Sequence, residues 1–97
     1  MNYRLHPDAA SEHEKQVAYY EARSPGLGAR HHAAFRSSIL QVCEAPNRFK
    51  MVSASDIRRA PINGFPFSIM FRQIQDEIQV LAIAHHRRHP DYWAGRL

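Results

Sequence analysis

Nine consecutive residues, His85-His86-Arg87-Arg88-His89-Pro90-Asp91-Tyr92-Trp93, bring three histidines, two arginines, an aspartate, a tyrosine and a tryptophan into one short stretch. Imidazoles titrate near neutrality and can take or give a proton. Guanidinium groups grip phosphate oxygens, and a phenol can donate a proton or stack on a base. The chemistry these types allow is therefore proton transfer beside a bound phosphate, or the gripping of a phosphate backbone alone. His85, His86 and His89 also invite a metal reading, but neighbours on a strand point to opposite faces, so only one of the first two can join His89. No metal and no cofactor is expected.

The element that must position these groups lies directly before them. Ile78-Gln79-Val80-Leu81-Ala82-Ile83-Ala84 is a β-rich run, and a sheet orients the groups at its strand ends without burying them. Upstream, a period of two marks strands at Asp56–Ile62, Phe67–Ile74 and Glu77–Ala84, joined by Asn63-Gly64 and Gln75-Asp76. Connections this short enforce antiparallel neighbours. The first half is helical by its spacing. Pro7 and Asp8 open a helix to about Arg23 with Ala10, His13, Val17 and Tyr20 on one stripe, after a short strand at Tyr3-Arg4-Leu5. Ser24-Pro25-Gly26 breaks the run, with Ser24 as the expected N-cap of a second helix from about Gly26 to Glu44, ended by Pro46. Its stripe is Leu27, His31, Ala34, Phe35, Ser38, Ile39 and Val42; a loop is expected from Ala45 to about Ser55. The order βααβββ predicts an α+β fold over residues 1–97 as a single domain. A helical hairpin packs on a small, mainly antiparallel sheet, with a short C-terminal helix or turn.

The net charge of +4 lies wholly in the second half: residues 1–44 hold five basic and five acidic side chains, residues 45–97 eight and four. A one-sided positive field suits a polyanion or an acidic protein partner. The single cysteine, Cys43, excludes an internal disulfide and sits in an apolar helical pattern. No apolar stretch approaches a membrane span, and a cytoplasmic protein without membrane partners is expected.

Several segments taken together resemble the RelE/ParE toxins of bacterial type II toxin–antitoxin modules, also called plasmid stabilisation proteins. They are His6-Pro7-Asp8-Ala9, Tyr19-Tyr20-Glu21, Ser24-Pro25-Gly26-Leu27-Gly28, Ile57-Arg58-Arg59, Phe65-Pro66-Phe67-Ser68-Ile69-Met70-Phe71-Arg72, Val80 to Arg88, and Tyr92-Trp93. The resemblance implies a growth-inhibiting toxin held in a hetero-oligomer by a cognate antitoxin, with operator DNA contacted only through that antitoxin. RelE-like relatives cut mRNA on the ribosome, using cations on the sheet face and a C-terminal tyrosine or histidine. ParE-like relatives inhibit DNA gyrase.

Metal-free RNA cleavage needs a base, a cation for the phosphorane and an acid for the leaving oxygen. The catalytic candidates for that reading are His85, His86 and Tyr92. Tyr92 falls on the nucleases' C-terminal tyrosine, but the neighbouring arginine position reads His86 and the middle-strand arginine reads Ser68. Gyrase inhibition needs only a binding surface, for which Arg58, Arg59, Arg72, Arg87, Arg88 and Trp93 are the candidates, and it ranks first. An inactive homologue that only binds antitoxin or DNA is the remaining alternative. Of Arg58 and Arg59, one should face the open sheet and the other the helix side, with Glu21 or Glu44 as an ion-pair partner. Trp93 suits a cap on the core as well as a contact with the target.

Overall fold

The opening segment Asn2–Leu5 (β1) lies parallel to the last strand, with Tyr3 opposite Ile78 and Leu5 opposite Val80. The computed structural model describes residues 1–53 and 55–97; Ala54, inside the stretch expected as a loop, lies outside the described residues. After β1 come α1 (Pro7–Arg23), α2 (Leu27–Glu44), a 3-10 turn (Pro46–Arg48), β2 (Lys50–Met51), β3 (Arg58–Pro61), β4 (Phe67–Ile74), β5 (Glu77–His85) and a second 3-10 turn (Ala94–Arg96). The strands form one sheet in the order β1-β5-β4-β3-β2, and every pair but β1–β5 is antiparallel. This is the expected α+β arrangement with one strand more. β2 falls where a loop was expected, because two exposed residues paired with Arg59 and Arg58 carry no alternation to read.

The hairpin between the helices is built differently from the expectation. Ser24 does not start α2 but ends α1, its N–H bonding the carbonyl of Tyr20. The N-cap of α2 is Gly26, at φ +85°, where a side chain would be strained. Gly26 offers no capping side chain, and Glu21 of α1 replaces it. One carboxylate oxygen of Glu21 accepts the N–H of Gly26 at 2.9 Å and the other that of Gly28 at 3.0 Å. Glu21 is thus a helix cap and not the partner of a sheet arginine. A Cβ at Gly28 would stand 2.6 Å from the Val17 carbonyl oxygen, so the two helices meet backbone to backbone there.

α2 supplies Phe35, Ile39 and Val42 to the main core, against Ile69 and Phe71 of β4 and Ile78, Val80 and Ile83 of β5. Met70 pairs with Ala82 and Phe71 with Val80, which leaves Leu81 as an extra residue. This bulge resets the alternation, so Ile83 returns to the helix side as Ile78 and Val80 do. On the other face Ile57, Met70, Leu81 and Ala82 form a second cluster, closed by Trp93.

Between helices and sheet lies a nest of imidazoles. His31 is fully buried among Tyr20, Phe65 and Phe67, with its Nε2 3.1 Å from Gln16 Oε1. The Gln16 amide nitrogen donates to the Ile83 carbonyl, so its oxygen accepts and the His31 proton sits on Nε2. His13 lies 2.9 Å from His32, and the Nδ1 atoms of His13 and His31 are buried without a partner. A second proton on either ring would have no acceptor. Burial, reinforced by the charges of His31 and His32, lowers the His13 pKa to about 4; burial and His32 lower that of His31. Cys43 lies half-buried against the same core, and burial pushes its thiol pKa up.

Two outcomes follow for stability. Gly28→Ala should lower it by about 1–3 kcal/mol, read as the urea midpoint, because the new methyl would press on the Val17 carbonyl oxygen and on the Glu21 side chain that caps α2. Below the ordinary histidine pKa of 6.5 the unfolded chain binds protons that folded His13 refuses until about pH 4. Stability therefore falls on acidification through that window. From about pH 7.5 to about pH 5 the His13 contribution should cost on the order of 2 kcal/mol, and His13→Asn should flatten the profile of urea midpoint against pH.

Candidate functional site

The bulge in β5 keeps Ala84 and His86 on the face of the sheet opposite the helices, beside Ser68 and Met70 of β4. There the His86 ring nitrogen Nε2 lies 3.1 Å from Ser68 Oγ. The two positions that depart from the nucleases' arginines therefore bond to each other. His86 and Arg59 mark the boundary between two hollows. One, of about 180 Å³, is walled by Met70, Ala84, Arg88 and Trp93; the other, of about 530 Å³, by Arg48, Lys50, Pro61 and Ser68. Together they form a groove across the open face with Arg48, Lys50, Arg59 and Arg88 exposed along it. Among the described residues that line it, Asp91 is the one carboxylate. The field in the groove is positive, which suits an anionic ligand or an acidic protein surface.

The sequence candidates divide. His85, His86, Arg59, Arg88 and Trp93 border the groove. Arg87 is exposed beside it, and its N–H bonds the His85 Nδ1 at 3.0 Å. His85 is half-buried and sets its ring edge-on to Phe67. Arg58 and Arg72 are not among the lining residues. The Arg58 guanidinium donates to the Phe49 carbonyl at 2.7 Å, on the helix side with Phe71, so its partner is a backbone oxygen and not Glu21 or Glu44. Arg72 donates to Gln79 Oε1 at 2.8 Å, towards the far end of β4. Trp93 is 4% exposed, and its ring completes the second cluster; it shapes the groove wall from beneath and presents little surface to a target. Among the described residues no group of three or more His, Cys, Asp or Glu is arranged to hold a metal ion.

Tyr92 is held by Arg88 and by two groups that the sequence did not single out, Glu12 and, through it, Arg96. Its hydroxyl donates to Glu12 Oε2 at 2.8 Å, and the guanidinium of Arg88 sits 4.0 Å from its ring centroid. Arg96 makes a two-pronged contact with the same carboxylate, 3.0 Å to each oxygen, and a third bond to the Leu81 carbonyl. Glu12 Oε1 also accepts the N–H of Ile83 at 3.0 Å. Burial, and then the bond to Glu12, raise the Tyr92 pKa above that of a free phenol. Its proton is held. Asp8, Glu12 and Gln16 recur every four residues along α1, which is the one trace of this network in the sequence. Arg48 and Lys50 were also missed, since they lie in the stretch expected as a loop.

A family model described as "ParE toxin of type II toxin-antitoxin system, parDE" matches residues 3–90. No curated sequence relative is matched. Among solved structures, a chain of the "Chromosomal ParDE TA system from P. aeruginosa" superposes with a TM-score of 0.77 at 19% identity, covering 88% of this chain and 95% of that one. At that identity the likeness is one of fold.

The two neighbouring arginines should separate in a substitution experiment. Arg58→Ala strips a charged donor from a half-buried carbonyl and should cost about 1.5–3 kcal/mol of stability. Arg59→Ala, on the open face, should stay within about 0.5 kcal/mol. Urea denaturation of both variants checks this.

Proposed function

The chain belongs to the ParE toxin family of type II toxin–antitoxin systems, and from that premise we propose that it arrests growth by binding DNA gyrase through the cationic groove of its open sheet face. A cognate antitoxin forms a hetero-oligomer with it and silences it, and any operator DNA is reached only through that antitoxin. The site of action is the cytoplasm; no helix of the described chain is long and apolar enough to cross a membrane.

The observation that carries the reading is the state of Tyr92. An acid for RNA cleavage must surrender its proton as the bond to the leaving oxygen breaks. Here the phenol O–H donates to the Glu12 carboxylate, and burial and that bond both resist loss of its proton. Ser68, which stands where an arginine would brace a phosphorane, is bonded to His86. The groove thus has cations for binding, and Tyr92 is not free to serve it as the acid. Ribosome-bound mRNA as the target is the second reading, favoured by the exposed His86 in the same hollow as Arg59 and Arg88.

Purified protein in a gyrase supercoiling reaction, beside a translation reaction with primer extension on the mRNA, separates the two. Supercoiling should be inhibited and the message left whole. Arg59→Ala with Arg88→Ala should raise the inhibitory concentration by at least about tenfold, as expected when contact residues are lost. Cleaved mRNA with normal supercoiling overturns the gyrase reading in favour of the nuclease. Inhibition of neither, with no growth arrest in cells, leaves a binding module for the antitoxin.

A further inference from the structure

We propose that Glu12, on α1 and outside the groove, is a positioning residue for the groove: it fixes the C-terminal segment so that Arg88 stands over the cleft. The proposal rests on the reading of that groove as the working surface. Glu12 is 18% exposed at its side chain and accepts four bonds, Ile83 N–H and Arg96 Nη1 on Oε1, Tyr92 O–H and Arg96 Nη2 on Oε2. Asp8, one turn earlier, adds a contact of 3.6 Å to Arg96 Nε. These bonds tie one carboxylate to β5 and to Tyr92 and Arg96, on either side of Trp93 in the tail.

The tail has a second anchor in Trp93, but apolar burial is non-directional and does not by itself fix where the chain before it runs. Charge-assisted bonds do. The Tyr92 ring, located by its hydroxyl on Glu12, is the platform on which the Arg88 guanidinium rests, and Arg88 lines the cleft with Arg59, His86 and Trp93. Glu12 therefore acts on the groove through Tyr92 and Arg88 without touching a ligand. Tyr92 and Arg96 lie beyond the residues matched by the family model, so the argument stands on this chain's own contacts.

Glu12→Gln keeps size and shape but has one oxygen where four donors converge, and it turns an N–H₂ group towards the Arg96 fork. Trp93 is the only tryptophan, so its fluorescence reports tail docking directly. Well below the unfolding midpoint, Glu12→Gln should shift Trp93 emission to the red and raise its quenching by acrylamide about twofold or more, with far-UV circular dichroism unchanged. Growth arrest on induction, measured in the same variant at equal soluble protein, should weaken by at least about tenfold. Adding Glu12→Gln to Arg88→Ala should cost no further toxicity, since both act through one contact. Ile39→Val, in the main core, lowers stability without reaching the tail and should leave both readouts as in the wild type.

A merely stabilising Glu12 would move the midpoint and leave Trp93 shielded. Full arrest by Glu12→Gln, with Trp93 shielded or released, overturns the proposal. A wild-type chain that arrests no growth sinks the toxin reading instead, and Trp93 quenching in Glu12→Gln still decides whether Glu12 holds the tail.

Discussion

β5 is nine residues long and its parallel partner β1 only four, so beyond Val80 the strand loses its neighbour on that side. Bare backbone groups there would cost about 1–3 kcal/mol each if buried unpaired, and an open edge invites pairing with other chains. α1 crosses this edge and, with Arg96 of the C-terminal turn, fills the gap with side chains. Glu12 takes the N–H of Ile83, Gln16 its carbonyl, and Arg96 the carbonyl of Leu81. A carboxylate placed so close to a core needs a cation, which Arg96 supplies, and its remaining capacity is taken by Tyr92. Once both are recruited, the tail has to run back across the sheet, and Trp93 is carried onto the second cluster.

The positions of the groove and the charge follow from that route. The tail covers the part of the open face formed by Ile57, Met70, Leu81 and Ala82 and leaves the Ser68 and His86 end uncovered. One wall is then the tail, with Arg88 on it, and the other is the short β2 with Arg48, Lys50 and Arg59 around it. Four of the eight basic residues of the second half, Arg48, Lys50, Arg59 and Arg88, line this groove, while the charge-balanced first half forms the helices. The helix side has the opposite character. Its buried polar groups, His31 and Ser38, are hydrogen-bonded to Gln16 and to the Pro61 carbonyl.

The helices and the three consecutive antiparallel strands were legible because each carries many residues of one period, and a stripe such as Phe35, Ile39 and Val42 has no other use. β2 was not, because a strand of two exposed residues has no period. Ser24 reads as an N-cap by type, yet the fold gives the capping work to Glu21, a residue that propensity places in a helix interior. Of the site, the stretch from His85 to Arg88 could be placed at a strand end, since strand position follows from local pattern. Which arginine faces the groove depended on the register of β3 against β4, and Arg58 and Arg59 sort by that register. The Glu12 network was illegible for a different reason. It joins Glu12 to residues 71 to 84 positions away, and nothing short of the packed chain brings them together.

The same network bears on what the groove is able to do. A phenol serving as an acid has to leave its partner, and releasing Tyr92 would vacate one acceptor position on Glu12 Oε2 and remove the platform beneath Arg88. A ligand that needed this movement would have to offset the lost charge-assisted bond, which is worth about 1.5–3 kcal/mol. A ligand that only needs Arg59 and Arg88 where they stand meets them already placed, and the ordering cost of binding falls accordingly. The fold thus favours recognition by a preformed cationic surface over proton transfer from Tyr92. That preference originates in the length difference between β1 and β5.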